Sequence, residues 1–300
     1  MTVRFVDDII ISMEYVEADG QIIIRGGFEN RGIIEVPGQA EGLAVTEIDS
    51  YAFAHRLELT EVILPPSIRR IGAHAFYNCK NLRLVELYDG IRELEDGAFK
   101  NCHSLFEIKM HCREGREGCI RNLLDENIQE LSLDIEYGRG ERARLFFPSF
   151  EDDYVENTPA RIFRAVSYGS GGAYRQCMQA GSLDYRAYDG LFARSVREDR
   201  FEAALFNCMG RLACPYRLSA SAREAYTSFL KENGGRAAAC FIARRDTEAL
   251  SFLCGFDALG ENEVGEALEA AAGTGNPQLI GILLDYKSRN FKTKRKSFDL

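Results

Sequence analysis

Four side chains of metal-ligand type, His103, His111, Cys112 and Cys119, fall in one short stretch. Zinc takes four such ligands, commonly with two to four residues between paired cysteines. Here His111 and Cys112 are adjacent and seven residues separate the histidines. That spacing fits a distorted structural turn better than a knuckle, and no metal is assigned. Gly169-Ser170-Gly171-Gly172 could present backbone N–H groups to a phosphate. It lacks the Lys-Ser/Thr ending of a P-loop and follows no clear strand, so a flexible loop between helices is expected. No cysteine carries a local nucleophile signature. No catalytic residue or cofactor is assigned, and the protein is expected not to be an enzyme. Six basic residues between Lys287 and Lys296 surround Phe291, a composition that can hold phosphates or an anionic membrane. A solvated terminus complementing the last helix dipole is the expected reading, and the net charge of −9 argues against nucleic acid as the main partner. The chemistry that remains is recognition. Glu61, Leu84, Glu107 and Glu130 stand 23 apart, and so do Ile63, Glu86, Lys109 and Ser132.

A repeat must position those residues. Leu59, Leu82, Leu105 and Ile128 share the 23-residue period, as do Val62, Val85, Ile108 and Leu131, and Leu64, Leu87, Met110 and Leu133. Such a period is the signature of a solenoid. In the unit from Leu59, Val62 and Leu64 have the two-residue spacing of a half-buried strand. Pro65-Pro66 stops that ladder because proline has no N–H. Ile68 and Ile71 make a second inward pair, and Gly72 permits a bend. Ala75-Phe76 opens a short turn whose ring caps the unit, with Asn78 suited to a turn and Cys79 a small filler. Seven or so apolar side chains gain roughly 10–20 kcal/mol on burial, less than the cost of ordering the backbone. A unit therefore needs its neighbours. Function falls to the side chains that alternate outward, Glu61, Ile63, Leu84, Glu86, Glu107, Lys109 and Glu130, as a face that binds another protein.

The pattern L-x-x-V-x-L-P-x-x-I-x-x-I-G-x-x-A-F-x-N-C resembles the BspA-like leucine-rich repeats of bacteria. It is clearest over residues 59–80 and 82–103 and fits 33–56 around a longer loop. After Cys102 it departs, with Arg121-Asn122 where Ala-Phe should stand. The resemblance implies a surface protein or a protein-binding module.

The expected fold class is α+β: a leucine-rich-repeat solenoid followed by an all-α region. Residues 1–32 are expected to form a β-hairpin cap turning at Asp19-Gly20, with strands from Val3 through Ile11 and Tyr15. Residues 33–137 carry the repeats, and 138–157 read as a linker with Gly138, Gly140 and Pro148 as breakers. Residues 158–300 read as helical. Thr158-Pro159 is a start signal, with Ile162, Phe163 and Val166 on one face. Further helices are expected over 173–180, 184–194, 199–212, 219–232, 235–244, 246–254, 262–272 and 277–289. The last pair, EALEAAAGTGNPQLIGILLDY, resembles the helix pair of an ankyrin repeat without its Thr-Pro-Leu-His opening. Residues 235–259 read as an eroded earlier unit, and an unrelated bundle stays open.

With 300 residues and 46% hydrophobic side chains, the chain can bury a sizeable core. Nine scattered cysteines suit reduced thiols rather than a disulfide framework. The opening MTVRFVDDII has early acids and no apolar run of signal length, and no stretch reaches membrane-span length. The expectation is a cytoplasmic, non-enzymatic scaffold with no membrane partner. A regulatory or docking subunit of an enzyme system and an exported adhesin are the alternatives.

Overall fold

The computed structural model describes residues 13–28, 31–157, 162–179 and 181–291. A hairpin of β1 (Met13–Ala18) and β2 (Gln21–Gly27) comes first, then β3 (Ile33–Glu35), β4 (Gln39–Ala40) and β5 (Leu43–Ile48). The regular turns supply β6 (Glu61–Ile63), β7 (Arg70–Ile71), β8 (Leu84–Tyr88), β9 (Glu93–Leu94) and β10 (Glu107–Cys112). Helix α1 (Arg121–Glu126) precedes β11 (Leu131–Tyr137), β12 (Arg142–Phe147), β13 (Glu151–Asn157) and β14 (Ile162–Tyr168). Then follow α2 (Gly171–Arg175), β15 (Met178–Gln179), β16 (Ser182–Leu183), α3 (Tyr185–Gly190) and α4 (Phe192–Glu198). The remaining helices are α5 (Phe201–Ala213), α6 (Ala220–Glu232), α7 (Gly234–Arg244), α8 (Thr247–Cys254), α9 (Glu261–Thr274) and α10 (Pro277–Asn290). Two compact units result, Met1–Ala203 with Cys214–Arg217, and Ala204–Ala213 with Leu218–Leu300.

The first unit is a solenoid with two parallel sheets. One sheet runs β3-β6-β8-β10-β11, closed by antiparallel β12, and the other runs β2-β5-β7-β9, closed at its opposite end by antiparallel β1. In the first sheet Val62, Val85, Ile108 and Leu133 align in register and are fully buried. Ile48, Ile71 and Leu94 align in the second. Between the sheets Phe28, Phe53, Phe76 and Phe99 form one file, with ring centroids 6.0, 5.3 and 5.0 Å apart. The thiols of Cys79 and Cys102 donate to the carbonyls of Phe53 and Phe76, at 3.1 and 3.2 Å, one turn back. The turns need left-handed backbone at two recurring places. Tyr51, His74 and Gly97 occupy one (φ 61°, 59° and 70°), and His55, Asn78 and Asn101 the other (φ 65°, 61° and 64°). Glycine and asparagine bear that conformation at least cost, which explains Asn in the repeat.

Each turn hands backbone hydrogen bonds to the next. The N–H groups of Tyr51 and Phe53 reach Ala73 O and Ala75 O, and those of His74 and Phe76 reach Asp96 O and Ala98 O. At the last regular turn a side chain replaces the missing neighbour. The Glu126 carboxylate accepts from Gly97 N and Phe99 N at 2.6 and 3.0 Å. Buried Arg175 donates to the carbonyls of Leu124, Asn127, Pro148, Gly171 and Gln129 at 2.6–3.0 Å. On edge strand β12 the Tyr188 hydroxyl both accepts from Phe146 N and donates to Phe146 O, at 2.8 and 2.7 Å.

Several elements differ from the sequence expectation. Residues 142–147, expected as linker, form β12, whose alternate residues Ala143, Leu145 and Phe147 are buried. Residues 162–168, expected as helix, pair antiparallel with residues 151–157. Ile, Phe, Val and Tyr are strand formers, and seven residues are too few to separate a period of 3.6 from one of 2. Gly169–Gly172 joins a strand to a short helix rather than two helices. Gly171 is required there, because a Cβ would lie 2.1 Å from Pro148 O. The expected strand residues Val3–Ile11, the Thr158-Pro159 start signal and the tail beyond Phe291 lie outside the described residues.

The second unit is helical. Three of its helices are capped by their own N-terminal side chains: Ser219 Oγ accepts from Ala222 N, Asp246 Oδ1 from Ala249 N, and Asn276 Oδ1 from Gln278 N. Helices α7–α8 and α9–α10 are successive packed pairs, with α7 against α9 and α8 against α10. Their junctions match thirty residues apart, with left-handed Arg245 and Gly275 followed by N-caps Asp246 and Asn276. The Tyr286 hydroxyl binds both the N–H and the carbonyl of Leu259, closing the link between the pairs.

Candidate protein-binding face

Alternation along β6, β8, β10 and β11 buries Val62, Val85, Leu87, Ile108, Met110, Leu133 and Ile135, so their neighbours must point outward. The pairing register sorts those neighbours into rows. The first row is Ile33, Glu61, Leu84, Glu107 and Ser132. The second is Glu35, Ile63, Glu86, Lys109 and Asp134, with Arg144 of β12 beyond. The third begins where the strands lengthen, with Tyr88, His111 and Glu136. Six of the seven predicted face residues, Glu61, Ile63, Leu84, Glu86, Glu107 and Lys109, lie on this face.

Glu130 does not. The expected register carried the 23-residue period one unit too far: Ser132, not Glu130, pairs with Glu107, so Ser132 moves to the first row and Asp134 takes the second. Glu130 precedes β11 and pairs with Arg200 at 2.5 Å. Both line a separate concavity of about 520 Å³ with Ile128, Phe150, Tyr168 and Asp199. Ile33, Glu35, Tyr88, His111 and Asp134 were missed as face residues. The period alone implies Glu35 poorly, because a 28-residue step separates β3 from β6.

Charge on the face is unevenly neutralised. Arg144 is bidentate to Asp134, at 2.7 and 3.0 Å, and Asp134 leads the causes that raise the Arg144 pKa. The His111 ring contacts Glu86 at 2.8 Å and Glu136 at 3.1 Å and stacks on Tyr88 at 4.6 Å. The Arg113 guanidinium covers the Tyr88 ring at 4.7 Å. Lys109 lies 3.7 Å from Glu107. Toward β3 and β6 such pairing stops, and the side chains of Glu35 and Glu61 have no partner among the described residues.

The candidate metal ligands are engaged separately. His111 holds two glutamates, Cys112 donates to Asp89 at 3.4 Å, Cys119 approaches Arg116 O at 3.9 Å, and His103 is exposed. Among the described residues no group of three or more His, Cys, Asp or Glu is arranged to hold a metal. Burial pushes the thiols of Cys102, Cys112, Cys119 and Cys177 up to about 12 and those of Cys79 and Cys254 up to about 11. A nucleophilic cysteine needs the opposite shift. Ser170 N and Oγ bind the Asp199 carboxylate, so an acid occupies the place where a phosphate would sit.

Stacked parallel strands, one per turn, with a phenylalanine file inside, define a leucine-rich-repeat solenoid. Residues 46–125 match the model of the BspA type leucine rich repeat region in 6 copies, and these turns are BspA-type repeats. No curated protein matches the chain. Among solved structures, the chain is similar to a leucine-rich repeat protein from Bacteroides ovatus at 24% identity and a TM-score of 0.30, covering 35% of this chain and 31% of that one. It is similar to the leucine rich repeat protein of T. pallidum at 21% identity and a TM-score of 0.24, covering 37% of this chain and 76% of that one. A leucine rich cell surface protein from Faecalibacterium prausnitzii matches at 16% identity and a TM-score of 0.25, over 46% of this chain and 60% of that one. The chain thus spans less than a third of the first of these. Among the described residues no helix is long and apolar enough to cross a membrane.

Proposed function

We propose that the protein is a non-enzymatic interaction module and that its ladder face docks a partner protein. The observation that carries this reading is the register. It gathers Ile33, Ile63 and Leu84 with Glu61, Glu86, Glu107 and Lys109 on one continuous strand surface. Isolated aliphatic groups among charges on a backbone of stacked sheets suit a rigid recognition surface, which loses little freedom on binding. The helical unit, with its tandem pairs of ankyrin-like outline, supplies a second surface of the same interaction class.

We place the protein in a reducing, cytoplasmic setting. Cys79 and Cys102 act as reduced fillers that donate to carbonyls of the preceding turn. Oxidation would remove those donors from the core.

The test is affinity capture from source-cell lysate with the wild type beside Glu61→Lys/Glu107→Lys, both confirmed folded by circular dichroism. A protein held by the wild type and released by the variant supports the face as the site. A partner retained equally by both removes the ladder from the account.

A further inference from the structure

The two outer rows are out of phase. Along the first, from β3 to β10, the order is Ile33, Glu61, Leu84, Glu107; along the second it is Glu35, Ile63, Glu86, Lys109. Over β3, β6 and β8 aliphatic and charged side chains therefore alternate both along each strand and across the strands, while β10 carries charge in both rows. Ile63 has Glu35 and Glu86 beside it in its row and Glu61 on its own strand. Leu84 is framed in the same way by Glu61, Glu107 and Glu86. Neighbouring strands lie about 4.8 Å apart, so like side chains in a row recur at about 9–10 Å.

The four carboxylates of this checkerboard have little to balance them. Glu107 is offset by Lys109 at 3.7 Å, and Glu86 has a hydrogen bond with the His111 ring at 2.8 Å. Glu35 and Glu61 have no side-chain partner among the described residues. Ile33 beside them is 51% exposed. Carboxylates crowded round aliphatic groups repel one another, and an opposite charge laid over them relieves that repulsion while covering the aliphatic groups.

We infer that the ladder face takes a cationic polypeptide segment that carries aliphatic residues between its lysines or arginines. This rests on the ladder-face reading above and names its partner class. The cations meet Glu35, Glu61 and Glu86, and the aliphatic residues meet Ile33, Ile63 and Leu84. The β10–β12 end, where Asp134 and Arg144 already neutralise each other, contributes shape and little charge.

The test uses the full chain and three fluorescent nonapeptides: alternating lysine and valine, alternating lysine and serine, and alternating glutamate and valine. Binding is read by anisotropy at 50 and 200 mM salt. The lysine–valine peptide is expected to bind best and to weaken as salt rises. Glu35→Gln/Glu61→Gln weakens it roughly three- to tenfold, as two exposed charge pairs would. Ile63→Ser weakens it without changing the salt dependence. Equal binding of the glutamate–valine peptide, or indifference to both variants, overturns the inference. Equal binding of the lysine–serine peptide also overturns it, by showing charge attraction without a matched surface. If the peptides fail while the lysate partner is still lost in Glu61→Lys/Glu107→Lys, the ladder reading stands and only the cationic partner falls.

Discussion

Replacing Arg175 by methionine should unseat the end of the solenoid. Arg175 is 4% exposed, and its guanidinium donates to five backbone carbonyls drawn from α1 and its exit, the turn after β12, and α2. Gly171 O is one helical turn back and keeps its helix geometry, so four carbonyls lose their main partner. A buried acceptor left unpaired costs about 1–3 kcal/mol, which puts the gross loss at roughly 4–12 kcal/mol. Against that, burial lowers the Arg175 pKa to about 10, so its charged form is penalised by roughly 3 kcal/mol that methionine would recover. The difference is a loss of about 1–9 kcal/mol, and removing one member of a buried charged network costs about 3–5 kcal/mol, which sets the expectation within that span. Methionine keeps the stem's bulk against Phe147 and Phe150, so cavity formation adds little. Urea unfolding followed by circular dichroism reads the loss, and hydrogen exchange over residues 121–150 locates it. Arg175→Lys should fall between, since one ammonium cannot span the same carbonyls. A loss below about 1 kcal/mol for Arg175→Met would refute the view that this side chain organises the cap.

Two acids, half-buried Glu126 and buried Asp89, should give opposite pH signatures. Burial raises the Glu126 pKa, only partly countered by the Phe99 and Gly97 N–H groups. Its contribution is full below the ordinary glutamate value of 4.5 and is lost as pH rises through the raised folded value, so Glu126→Gln should remove a decline above pH 4.5. At Asp89 burial works upward, but the Arg113, Arg116 and Glu114 N–H groups outweigh it and hold the pKa below 3.8. That contribution is present above 3.8 and is lost as pH falls through the folded value, so Asp89→Asn should be less stable at pH 7 and flatter on acidification. Urea midpoints across pH 2–8 check both signs. Gly265→Ala in α9, where a Cβ meets nothing within 4 Å, should stabilise by about 0.5–1 kcal/mol. Gly234→Ala should destabilise, since its Cβ would lie 1.8 Å from Ala258 O, and paired thermal melts distinguish the two. Glu130→Lys should leave ladder-face binding unchanged, because Glu130 faces Arg200; loss of the partner in that variant would show that the register assignment misplaces the site.

The ladder was legible because one physical demand, burial of Val62, Val85 and Ile108 against the next turn, repeats at a fixed interval. The second sheet was half legible. Ile68 and Ile71 read as inward residues, but a two-residue strand such as β7 or β9 carries too little alternation to announce pairing. There Arg70 stands with Glu47 at 3.0 Å and Glu93 at 3.7 Å in an ion-pair row that the 23-residue period contains, and Glu95, off that period, adds a contact at 2.7 Å. The cap was not legible. Glu126, Arg175 and Tyr188 act across 27 to 51 residues on backbone groups, and no local pattern records such a bond. The helix starts at Ser219 and Asp246 were plain, since each side chain acts within three residues of itself.

The register of β11 explains how a broken period can keep the fold and still move the site. Residues 113–130 depart from the repeat, and β11 pairs two residues later than a strict 23-residue step requires. Side chains on a strand alternate with a period of two. A slip of two therefore returns inward residues to the inside: Leu131, Leu133 and Ile135 remain buried. A slip of one would have turned all three to solvent and opened the core. The core thus tolerates an even insertion, and nothing in the apolar pattern reveals it. The outer rows do register the change, since each outer residue acquires new neighbours. Glu130 leaves the face, and Asp134 enters the second row where Arg144 of β12 neutralises it. In the first two rows the acidic character consequently ends at β10. Carboxylates without partners collect toward β3 and β6, and the checkerboard is confined to the turns that keep the aliphatic positions Ile33, Ile63 and Leu84.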